Sequence, residues 1–106
     1  MAEDFLQLET KIIEALKTVY DPEIPVNVYD LGLIYEINVD KERHKVRLVV
    51  TLTAPNCPVA DSLVQEMHDS VAAIAEVEDV EVNLTFDPPW TRDMLSEEAM
   101  LELGLL

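Results

Sequence analysis

The chain is short of cysteine, glycine and positive charge, and each shortage removes a class of function. Only one cysteine is present, Cys57, so no internal disulfide can form, and four cysteines of one chain cannot close around a metal cluster. Gly32 and Gly104 are the only glycines, which leaves neither a Gly-rich phosphate loop nor a Walker-type motif and argues against nucleotide chemistry. Seven basic residues face 22 acidic ones, for a formal net charge of −15. Nucleic-acid partners are set aside, because they are gripped by cations on phosphates. No apolar run approaches the roughly 18 residues of a membrane span, and no charged segment followed by an apolar one opens the chain. A soluble, acidic protein of the reducing cytoplasm is expected.

At 106 residues one domain spanning 1–106 is expected, large enough to bury a core unaided. From Phe5, the apolar residues Leu8, Ile12, Leu16 and Val19 recur at helical spacing and predict an amphipathic helix ending near Tyr20. Residues 21–32 carry Pro22 and Pro25, each of which holds its predecessor extended, so a long, ordered, non-helical connection follows. Alternation over 33–40, with Tyr35, Ile37 and Val39 on one side, predicts a strand. A second, with Val46, Leu48, Val50 and Leu52 on one side, pairs with it through the basic turn 41–45. Pro58 suits a first helical position, and Ala60, Leu63, Val64, Met67, Val71 and Ile74 trace the face of the helix it opens. Val80, Val82, Leu84 and Phe86 make a third strand. A last short helix starts at Ser96 as N-cap, carries Glu97 and Glu98 in its first turn and closes at Gly104.

The order α-β-β-α-β-α, with one apolar face per strand, implies an α/β (α+β) two-layer sandwich: a small mixed three-stranded sheet with helices mainly on one face. A helical crossover makes the second and third strands parallel, so both end on one edge of the sheet. Cys57 follows the end of the second strand, Asp87-Pro88-Pro89-Trp90 follows the third, and the 21–32 connection arrives at the start of the first. The basic turn falls on the opposite edge.

A thiol near a helix N-terminus favours the thiolate, while Asp21, Glu23, Asp30 and Asp87 disfavour it unless a metal binds. Soft sulfur beside carboxylates suits iron or zinc better than calcium or magnesium. The plain alternative is a buried packing cysteine with an Asp-Pro-Glu turn that merely caps and connects. Cysteine catalysis lacks its base: His44 lies in the distal turn, and His68 is three turns into the helix after Cys57, roughly 16 Å along its axis. No enzymatic activity is expected. Trp90 reads either as a core plug or as a partner-facing anchor.

Three segments, Asp21-Pro22-Glu23-Ile24-Pro25-Val26-Asn27-Val28-Tyr29-Asp30-Leu31-Gly32-Leu33-Ile34-Tyr35, Thr51-Leu52-Thr53-Ala54-Pro55-Asn56-Cys57-Pro58, and Asp87-Pro88-Pro89-Trp90 with Met94, Ser96 and Leu103-Gly104, resemble the metal-sulfur cluster biosynthesis family that includes SufT, PaaD and the eukaryotic cytosolic iron-sulfur targeting factors. The resemblance covers nearly the whole chain. It implies a factor that matures iron-sulfur proteins rather than a catalyst, with Cys57 as the functional cysteine, Asp21 and Glu23 as the acidic motif and Trp90 as the aromatic one. The P-loop extension and the cysteine-rich region found in other members are not among these 106 residues, so SufT is the nearer match.

The leading expectation is therefore assembly of clusters or their transfer to client apoproteins, with Cys57, Asp21 and Glu23 at the metal and Trp90 and Asp87 meeting partners. One thiol per chain limits the cluster to transient cargo, bridging two chains through two copies of Cys57. The exposed sheet face, with Val49 among polar residues, leaves room for a homodimer. The competing expectation is a protein-interaction adaptor for client targeting that never holds metal.

Overall fold

The structure is a computed structural model that describes residues 2–21, 24–40, 42–53 and 60–105. Its first helix, α1 (Ala2–Leu16), buries Leu8, Ile12 and Leu16 at four-residue spacing. It stops four residues before the expected end. The Thr18 hydroxyl donates to Ala15 O at 2.6 Å, and Val28 N donates to Val19 O at 2.9 Å. A local side-chain bond and a tertiary backbone bond thus replace further helical turns, and buried Val19 serves the core from outside the helix.

The connection that follows belongs to the core as much as any regular element. Val26, Val28, Leu31 and Leu33 are fully buried. Its turns are closed by Asn27, whose side-chain oxygen accepts from Asp30 N at 2.9 Å and whose amide donates to Asp30 Oδ2 at 2.8 Å. Gly32 completes the bend at φ +81°, a conformation costly for any residue with a Cβ.

Strands β1 (Ile34–Asp40) and β2 (Lys45–Val50) pair antiparallel, and β3 (Asp79–Leu84) lies parallel to β2, giving the order β1-β2-β3. This is the mixed sheet expected from the sequence. Central β2 is the most deeply buried, with Val46, Leu48 and Val50 closed to solvent. An irregularity between Ile34 and Glu36 breaks the alternation in β1. Ile34, Ile37 and Val39 therefore pack on the core, and Tyr35, expected beside Ile37, is not among them; an extra residue in one strand reverses the facing of its neighbours.

Helix α2 (Ala60–Ala72) buries Leu63, Met67 and Val71 and packs on both α1 and β3. The expected helix start at Pro58 lies outside the described residues. A Lys11–Glu76 ion pair ties α1 to the turn after α2. The expected apolar face of the third strand fades along its length: Val80 is buried, Val82 half-buried, and Leu84 and Phe86 are 43% and 38% exposed.

Beyond β3 the chain passes a cis Asp87–Pro88 bond and a single 3-10 turn at Arg92–Met94, which the sequence did not signal, to reach α3 (Glu97–Glu102). Both caps of α3 match expectation. Ser96 Oγ accepts from Ala99 N at 3.1 Å, while Gly104 takes φ +73° and lets Leu105 N reach Met100 O at 2.8 Å, the closing bond of a Schellman end. No helix among the described residues is long and apolar enough to cross a membrane.

Candidate functional site

The three segments that the sequence places on one sheet edge are bonded to one another there. Thr51 N donates to Leu33 O and Thr85 N to Val50 O, each at 2.8 Å, and Ser96 N donates to Asp30 O at 2.9 Å. The Trp90 indole N–H donates to Leu31 O at 2.6 Å, and the Tyr35 hydroxyl donates to Pro88 O at 2.7 Å. Where Gly32 turns, a Cβ would stand 2.3 Å from Met94 O. The edge is thus one interlocked unit: moving any of the three segments breaks buried or half-buried hydrogen bonds to the others.

Asp21 is 5% exposed, and its carboxylate accepts from Ile24 N at 3.1 Å while its own N–H donates to Val26 O at 3.2 Å. A carboxylate accepting from the backbone three residues on fixes a turn, so Asp21 orders the start of the connection. Asp87 is exposed; its N–H donates to the Thr85 hydroxyl at 3.2 Å, which turns the chain out of the sheet. Trp90 is neither fully buried nor fully exposed. Half-buried and packed on the core, it is pinned by its N–H and also lines a groove of about 290 Å³ with Ile24, Pro25, Arg92, Leu95, Leu103 and Leu105.

Cys57 and Glu23 lie outside the described residues. Among the described residues, no group of three or more His, Cys, Asp or Glu side chains is placed to hold a metal ion. Neither histidine joins this edge. His44 occupies the far hairpin turn, where its carbonyl accepts from Glu78 N at 2.8 Å. His68 Nδ1 stands 3.0 Å from Asp69 Oδ1, and hydrogen bonds from His68 and then Gln65 hold the Asp69 carboxyl below its ordinary range.

Three features of the edge escaped sequence reasoning. Tyr35 joins the site only because of the irregularity in β1. The Gly32–Met94 approach joins residues some sixty positions apart, although a lone glycine at the end of a Pro-rich connection is a usable signal for a left-handed turn. The Thr51 hydroxyl, just past the end of β2, is fully buried and has no hydrogen-bond partner among the described residues.

A mixed three-stranded sheet packed by helices, with three chain segments locked at one edge, is a fold already known. Residues 9–84 match the model of a family described as iron-sulfur cluster assembly protein, and the chain belongs to that family. Among individual proteins it is 54% identical over 106 residues to the Fe-S protein maturation auxiliary factor of Porphyromonas gingivalis, covering 100% of both chains. It is 39% identical over 87 residues to the Fe-S protein maturation auxiliary factor SufT of Staphylococcus aureus, covering 82% of this chain and 98% of that one. The fold matches a solved domain of unknown function from Bacillus anthracis with a TM-score of 0.86 at 32% identity, covering 94% of each chain.

Proposed function

We propose that this protein is a cytoplasmic maturation factor for iron-sulfur proteins, assisting cluster assembly or transfer to client apoproteins. The observation that carries this reading is the 54% identity, over the full length of both chains, with a protein named as an Fe-S protein maturation auxiliary factor. That relationship favours maturation over an adaptor that never meets a cluster.

In this reading the cluster is cargo. Cys57 supplies one soft thiolate per chain, and two copies bridge a transient cluster whose remaining ligands come from carboxylate, small thiol or the recipient. Such incomplete coordination suits release. Asp21 and Glu23 shape or complete the site, and the Ile24 N–H bond of Asp21 favours shaping. Trp90 and Asp87 face partners. Transfer is ligand exchange, in which thiolates of the client replace those of Cys57, so no catalytic base is required.

Transfer to a named acceptor tests the reading. Cluster-loaded protein mixed anaerobically with apo-aconitase is expected to restore aconitase activity faster than iron and sulfide at the same concentration. The Cys57→Ser protein should not exceed that background. Equal restoration by both proteins would remove Cys57 from the transfer step.

A further inference from the structure

The apolar groove beside Trp90 is not explained by cluster chemistry. Ile24, Trp90, Leu95 and Leu103 form its half-buried and buried wall, and Leu105, 48% exposed, its rim. Exposed apolar surface that gathers around a groove marks a contact site more often than it marks chance.

Charge narrows the occupant. Asp87, Asp93, Glu97, Glu98 and Glu102, which precede, follow or alternate with the lining residues in the chain, are all exposed, and none pairs with a cation among the described residues. Arg92 is the one described cation of this stretch. Elsewhere the described cations are engaged: Lys11 with Glu76, Arg43 with Asp40, Lys45 with Asp79, Arg47 with Glu81, and Lys17 over the Tyr29 ring. Five carboxylates against one guanidinium make the chain segments that supply the lining strongly negative, within a chain of net charge −15. Another copy of the same acidic chain, or an acidic segment, would be repelled there, whereas cations around an apolar anchor would be attracted.

We propose that this groove docks a basic amphipathic segment of a protein partner, its apolar side chains seated against Trp90, Leu103 and Leu105 and its Lys or Arg residues facing the surrounding carboxylates. The groove holds a few anchoring side chains, as one face of a short helix presents them. The inference deepens the maturation reading by giving its partner a chemistry, and rests on that reading only in taking the partner to be another protein of the maturation route.

Trp90 is the single tryptophan of the chain, so its fluorescence reports the groove directly. The probe is a short capped peptide with leucines at i, i+3, i+4 and i+7 and lysines at the remaining positions. Titration at low salt should shift the Trp90 emission with saturation and weaken as salt is added. Leu105→Ser should weaken binding about ten-fold, equivalent to 1.4 kcal/mol. The exposed triple variant Glu97→Gln, Glu98→Gln, Glu102→Gln should weaken it comparably and lower its salt dependence. Equal affinity for wild type and Leu105→Ser would overturn the groove as the site. Tighter binding of the same peptide with glutamate in place of lysine would overturn the basic partner. A wild-type dimer in sedimentation that Leu105→Ser converts to monomer would assign the groove to a second copy instead. The peptide is titrated without any cluster, so its failure and the failure of cluster transfer are separate results.

Discussion

The two edges of the sheet treat charge and backbone in opposite ways. At the hairpin edge the described cations lie against acids, Lys45 with Asp79 at 3.8 Å and Arg47 with Glu81 at 3.4 Å, on side chains open to water. At the loop edge the described hydrogen bonds are mainly to the backbone, from Trp90, Tyr35, Thr51 and Ser96, while exposed carboxylates stay unpaired. The described cations of the hairpin edge are thus spoken for, and its structure is a simple turn. The loop edge is mechanically locked yet chemically open, which is the combination a site needs if it must hold its shape while meeting other molecules.

Substitutions at the loop edge should therefore cost far more stability than those at the hairpin edge. The largest effect is expected for Gly32→Ala, which combines a left-handed backbone with a Cβ driven into Met94 O. It should destabilise the fold by on the order of 3 kcal/mol in urea unfolding. Gly104→Ala shares the left-handed backbone, but its Cβ meets open space, so about 1 kcal/mol is expected. Near-equal losses at the two glycines would show that the Met94 contact does not lock the edge.

The smallest effect belongs to Arg47→Ala, whose ion pair with Glu81 is solvent-exposed; the melting midpoint should barely move. The pH dependence has a definite sign. The Glu81 carboxyl is held below its ordinary range first by the Asn83 amide and then by Lys45 and Arg47. A depressed folded value gives a contribution present above the unfolded carboxylate range and lost as pH falls through the folded value. The small difference between Arg47→Ala and wild type should therefore vanish in acid. A difference that grows on acidification would contradict the pairing.

Much of the fold was legible because local signals and tertiary contacts agreed. Ser96 through its hydroxyl and Gly104 through its backbone mark the ends of α3, and the alternation in β2 survives because the strand is paired on both edges and buries one face. Misreadings fall where a distant partner decides. Val19 continues a helical stripe, yet the bond from Val28 draws it into the connection. Tyr35 continues an alternation until the irregularity moves it toward Pro88 and Met94, more than fifty residues away. Leu84 and Phe86 look like core by spacing but lie open.

For the site, the meeting of the Asp21 connection, the end of β2 and the Trp90 segment was readable from topology. The inward use of Asp21 and the groove around Trp90 were not, because both depend on three-dimensional closure of segments whose composition alone is ambiguous. Cys57 and Glu23 lie outside the described residues, and the roles proposed for them rest on the resemblance.

The central claim is that Cys57 is the soft ligand through which this protein handles iron-sulfur cargo. Anaerobic reconstitution with ferrous iron and sulfide, followed by desalting, metal and sulfide counting and absorbance, tests it most directly. Wild type is expected to retain iron and sulfide with charge-transfer absorbance, and Cys57→Ser to retain neither above background. Equal iron and sulfide on the two proteins would contradict it.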